Sequence, residues 1–86
     1  MTNVTIQAQA DSSWVRVFIN GEEVLSSPGG IVVPLPDGVH YLTYFVQGRQ
    51  GENYLIAITN PADDGWAVQG SLKTNHTTGQ HAIIIP

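Results

Sequence analysis

A chain of 86 residues can build one hydrophobic core but not two, so residues 1–86 are read as a single domain. Three Lys and Arg against seven Asp and Glu give a net charge of −4, which removes the electrostatic footing that a nucleic acid or an anionic lipid surface requires. No cysteine is present, so a disulfide framework, a thiolate metal site and a cysteine nucleophile are all excluded.

Only 12% of the residues are charged, against roughly 25% in an average soluble domain, so the surface must draw on Thr, Ser, Asn, Gln and Gly. Such a surface suits neutral polar ligands or self-association better than ion-driven binding. The start, Met1-Thr2-Asn3-Val4-Thr5-Ile6-Gln7, shows no basic segment followed by an apolar one, so no signal peptide is visible. No apolar run approaches the roughly 20 residues of a membrane helix, and membrane insertion is not expected. The compartment stays open.

Val4, Ile6, Ala8 and Ala10 alternate with polar residues, the period of a half-buried strand, and Asp11-Ser12-Ser13 predicts a turn. In the next strand, 14–19, Val15, Val17 and Ile19 share one face and Trp14, Arg16 and Phe18 the other; the valine face is assigned to the core. Asn20-Gly21 predicts a type I′ hairpin turn, which needs φ > 0 at both central positions. A short return strand covers 22–25 and ends at Ser26-Ser27-Pro28-Gly29-Gly30. Within 31–35, Pro34 has no N–H for a ladder, which puts that strand at a sheet edge or turns the position to solvent.

After Pro36-Asp37-Gly38 the pattern changes. Val39, Tyr41 and Phe45 fall on one face of the next strand and Leu42, Tyr44 and Val46 on the other, so both faces are apolar. Gly48-Arg49-Gln50-Gly51 predicts a hairpin loop, and 54–58 is again apolar on both faces. Asn60-Pro61-Ala62-Asp63-Asp64-Gly65 forms the next connection, and Trp66, Val68, Gly70 and Leu72 alternate as a strand. Residues 73–80 read as a polar loop, and 81–85 as a terminal strand. The expected fold is all-β: a small antiparallel β-sandwich of seven to eight short strands, with a small β-barrel as the alternative.

From Val15 to about Thr59, roughly half the chain, the sequence resembles the PEGA-type, Ig-like small β-sandwich family. The elements that carry the resemblance are Val15-Arg16-Val17-Phe18-Ile19-Asn20-Gly21, then Val24-Leu25-Ser26-Ser27-Pro28, then Asp37-Gly38-Val39-His40-Tyr41. It implies an interaction module without catalytic residues.

Three histidines, His40, His76 and His81, are the only nitrogen ligands for zinc, and nothing in their spacing brings three donors together, so no metal and no cofactor is expected. His76 and His81 flank the polar loop and are placed to approach each other. His40, just after a turn, is read as an imidazole that bonds to the neighbouring loop. No nucleophile–base–orienter set is visible, and Glu22 and Glu23 point to opposite faces of their strand, so an enzyme is not expected.

The expected function is a non-enzymatic module that self-associates or packs into a larger assembly, with Tyr41, Leu42, Tyr44, Phe45, Ile83 and Ile85 at the interface. The alternative is a lectin-like module for neutral carbohydrate built on the Asp63-Asp64-Gly65-Trp66 loop, whose paired carboxylates suit Ca²⁺ and whose indole suits stacking on a sugar's apolar face, with Trp14 as a second aromatic contact.

Overall fold

The computed structural model describes residues 1–12, 14–60 and 65–86. Ser13 of the first expected turn and Pro61, Ala62, Asp63 and Asp64 of the last connection lie outside the described residues. Eight strands are formed: β1 Thr2–Ala10, β2 Trp14–Ile19, β3 Glu22–Leu25, β4 Gly29–Leu35, β5 Gly38–Gln47, β6 Asn53–Asn60, β7 Trp66–Ser71 and β8 His76–Ile85. They make two antiparallel four-stranded sheets, ordered β4-β1-β6-β7 and β3-β2-β5-β8. The sheets stay separate, so the sandwich is the architecture and the barrel alternative is set aside.

Period-two patterning places the core between the sheets. Val4, Ile6 and Ala8 of β1 and Ile56 and Ile58 of β6 face Val15, Val17 and Ile19 of β2 and Leu42, Tyr44 and Val46 of β5, all buried. Each fully buried Val, Leu or Ile contributes roughly 1.5–3 kcal/mol relative to an exposed position. Asn20 and Gly21 hold φ of 52° and 84° and turn β2 back into β3. Asn20 does more than turn the chain. Its Oδ1 accepts from the Tyr41 N–H at 2.9 Å, so the hairpin tip is fastened to β5. β4 is an edge strand, in keeping with Pro34.

The polar segment 73–80 is not all loop. β8 begins at His76 and pairs with β5 from Gln47↔His76 to Gly38↔Ile85 without a register shift. Thr77, Thr78, Gly79 and Gln80 have polar composition, but the full-length partner β5 draws them into the ladder, and the branched threonines suit it. Both inner-face tyrosines lie over glycines on the adjacent edge strand: Tyr44 over Gly79 in one sheet and Tyr54 over Gly70 in the other. A glycine there leaves room for an aromatic ring to lie flat against the neighbouring backbone.

Candidate functional site

The two outer faces of the sandwich differ. That of β4-β1-β6-β7 presents Asn3, Thr5, Gln7 and Gln9 from β1 and Ala67, Gln69 and Ser71 from β7, with Val32 and Pro34 from β4 and Leu55 and Ala57 from β6. That of β3-β2-β5-β8 gathers the aromatics. The registers set Trp14 beside Gln47 and His76, Arg16 beside Phe45 and Thr78, Phe18 beside Thr43 and Gln80, Tyr41 beside Ala82, and Val39 beside Ile84.

One end of this face is tied together by its side chains. The Arg16 guanidinium lies 4.6 Å from the Trp14 ring centre, Trp14 meets Phe45 edge-on at 5.3 Å, and Phe45 stacks on His76 at 5.9 Å. Arg16 also donates to the Val15 carbonyl at 3.0 Å and to that of Ser26, and its Nε lies 3.4 Å from Glu23 Oε1. Arg16 thus covers one face of the Trp14 ring, and His76 covers one face of Phe45. At the other end Val39, Tyr41 and Ile84 are 54%, 49% and 61% exposed.

Of the residues expected at an interface, only Tyr41 and Phe45 lie on this outer face. Leu42, Tyr44, Ile83 and Ile85 are buried in the core, 7% exposed at most, so the structure corrects their assignment. In β8 the parity was reversed: His81, Ile83 and Ile85 point inward while Ala82 and Ile84 point out. His81 tolerates its inward position because its ring stacks on Trp66 at 4.4 Å across the seam between β7 and β8. Residues missed at the sequence level are therefore Ile84, His76, Thr78 and Gln80. The signal that finds them is the β5–β8 register, because a slip of one residue exchanges the two faces.

Trp14 lies on the outer face, half-buried in the cluster just described. Trp66 is half-buried between Tyr44, at 6.1 Å, and His81, so one indole face is already covered. Asp63 and Asp64 lie outside the described residues.

His76 and His81 do not converge, because five residues apart on one strand they project to opposite faces. The His40 Nε2–H donates to the Pro36 carbonyl at 2.8 Å, and Asn20 Nδ2 donates to its Nδ1 at 3.0 Å, so both ring nitrogens are occupied by structural bonds. Among the described residues no group of three His, Cys, Asp or Glu could hold a metal ion. Burial raises the Tyr44 phenol above its ordinary value, and Tyr54 adds to this.

Two open depressions lie among the described residues. One, of about 220 Å³, lies among Gln9, Asp11, Asn53, Tyr54 and Gln69. The other, of about 240 Å³, lies along the β7/β8 seam by Trp66, His81 and Ile84. Both fall below the roughly 300–1,000 Å³ of small-molecule sites. No protein-family model matches the chain, and neither a curated protein nor a solved structure matches it.

Proposed function

We propose that this chain is a non-enzymatic interaction module that associates with further copies of itself through the β3-β2-β5-β8 sheet. The observation that carries the reading is the cluster of Val39, Tyr41 and Ile84, all exposed, beside Trp14 and Phe45, while the opposite sheet exposes one large apolar side chain to a like degree, Val32, among mainly Thr, Gln, Asn and Ser. An apolar patch kept in water on one face of so small a domain has a cost that association removes. The low charge supports the same reading: none of the seven acidic residues lies on β5 or β8, so two copies can approach there without local repulsion. Catalysis finds no support in the small depressions or in the engaged His40. The carbohydrate alternative has a weakened platform, since Trp66 and Trp14 are both packed against neighbours.

The test is the mass in solution by light scattering from low micromolar to high micromolar concentration. The reading expects a mass that rises with concentration above the 9.3 kDa monomer. A strict monomer throughout overturns it.

A further inference from the structure

Sandwiches have free edges, and the four here are not equally guarded. β3 has 4 residues and carries Glu22 and Glu23. β4 contains Pro34 and begins with two glycines. β7 has 6 residues. β8 has 10 residues, HTTGQHAIII, with no charged side chain, no proline and no bulge in its pairing with β5. Short length, charge, proline, bulges and a covering loop or helix are the devices that keep an edge from pairing with another chain, and among the described residues β8 has none of them.

The hydrogen bonds fix which of its backbone groups are free. Gly48 N donates to Asn75 O at 2.9 Å, so the pair just before β8 is a bonded one. Bonded and non-bonded pairs alternate along an antiparallel ladder, so Thr77, Gly79, His81, Ile83 and Ile85 bond to β5. His76, Thr78, Gln80, Ala82 and Ile84 then direct their N–H and C=O groups away from the sheet, those of His76 already meeting Thr74 Oγ1 at 3.5 Å and 3.1 Å. The other neighbour of β5 agrees: Asn20 N donates to Tyr41 O at 2.8 Å, leaving the even residues of β5 for β8.

We infer that β8 is the docking edge, and that its partner is the β8 of a second copy, paired antiparallel about a two-fold axis at Gln80. This rests on the self-association reading and places the contact at the edge of the same sheet, beside the exposed face. In that register Gln80 faces Gln80 of the other copy, Thr78 faces Ala82, and His76 faces Ile84. Thr78, Gln80 and Ala82 exchange both main-chain bonds, His76 and Ile84 do so where His76 gives up its contacts with Thr74 Oγ1, and no pair brings like charges together. The result is one continuous sheet of two copies, with the exposed ends at Val39, Tyr41 and Ile84 joined to the partner's aromatic cluster. Like patches meet like about a two-fold axis, so the contact closes. The guarded edges β3 and β4 do not extend it into a fibre.

The size of the contact sets its strength. Ten residues span roughly 34 Å, and a strip about 10 Å deep along that edge hides roughly 340 Å² per copy. That is below the roughly 800 Å² per partner of a standard stable complex, so the dimer is reversible and concentration-dependent.

The experiment compares solution masses of four full-length proteins at matched concentrations: wild type, Gln80→Pro, Ala82→Lys and Tyr41→Glu. Gln80→Pro removes an N–H that points away from β5, so the internal ladder keeps its bonds. Ala82→Lys leaves the backbone intact and adds a charge beside the edge, which keeps the test decisive if the proline variant fails to fold. The expected result is a wild-type dimer that both edge variants weaken at least ten-fold, and by more than Tyr41→Glu does. If wild type and both edge variants dimerise equally while Tyr41→Glu does not, the edge inference is overturned and the broader reading stands on the sheet face. A wild type that is monomeric throughout overturns both. A mass that grows past two copies overturns the closed pairing.

Discussion

Substituting Gly79 by alanine tests how the inner face of β8 is built. A methyl group there would overlap Oη and Cζ of Tyr44 and lie 2.7 Å from its Cε1. The Gly79 backbone is outside the left-handed region, so the obstacle is space and not conformation. Tyr44 has little freedom to give way, because it packs on Trp66, which in turn stacks on His81. Overpacking of this kind costs about 1–3 kcal/mol. The less flexible unfolded chain returns about 0.4–1 kcal/mol. A net loss of about 1–2 kcal/mol lowers Tm by about 4–16 °C in a domain of this size. Thermal denaturation followed by circular dichroism reads the shift. In a Tyr44→Leu background the ring is gone and the alanine penalty should vanish. An unchanged or raised Tm for Gly79→Ala in the native background would refute the tyrosine-over-glycine arrangement.

Three further outcomes follow from the same contacts. Burial raises the Tyr44 phenol in the folded state, so stability is full below the ordinary tyrosine value of about 10 and falls as pH rises through the folded value. Tyr44→Phe should flatten that alkaline decline in pH-dependent urea melts, and an unchanged slope would count against it. Asn20→Ala loses both a residue that accepts φ of 52° and the bonds to Tyr41 N and His40 Nδ1, at a cost of about 2 kcal/mol or more. Asn20→Gly restores the backbone freedom alone and should melt between the alanine variant and wild type; equal melting of alanine variant and wild type would exclude the fastening of the hairpin tip. Trp14→Ala removes an edge-on aromatic pair and a cation–π contact, for a loss of about 1–2 kcal/mol in denaturant unfolding, whereas Glu23→Gln, at an exposed ion pair, should change stability by less than about 0.5 kcal/mol.

Much of the architecture is legible in the sequence because turn chemistry is local. Asn20-Gly21, the proline at position 34 and the alternation of Val4, Ile6 and Ala8 each specify a feature that a few neighbours decide. The surface was harder to read because it depends on pairing. In β8, inward His81 and outward Ala82 and Ile84 invert the usual polarity, and only the register with β5 and the stacking of His81 on Trp66 show why. The surplus apolar face of β5 was visible in Val39, Tyr41 and Phe45. Leu42 and Tyr44 read as equal candidates for an interface until the opposite sheet was known to cover them. The absence of any guard on β8 was present in its composition too, but it acquires meaning only once β8 is an edge.

Residue-resolved amide hydrogen exchange of the wild-type protein, dilute and concentrated, tests the central claim most directly. Pairing of β8 across two copies predicts that the amides of Thr78, Gln80, Ala82 and Ile84 exchange freely when dilute and become protected when concentrated, while those of Thr77, Gly79, His81 and Ile83 are protected at both. Fast exchange of the four outward amides at every concentration would contradict it.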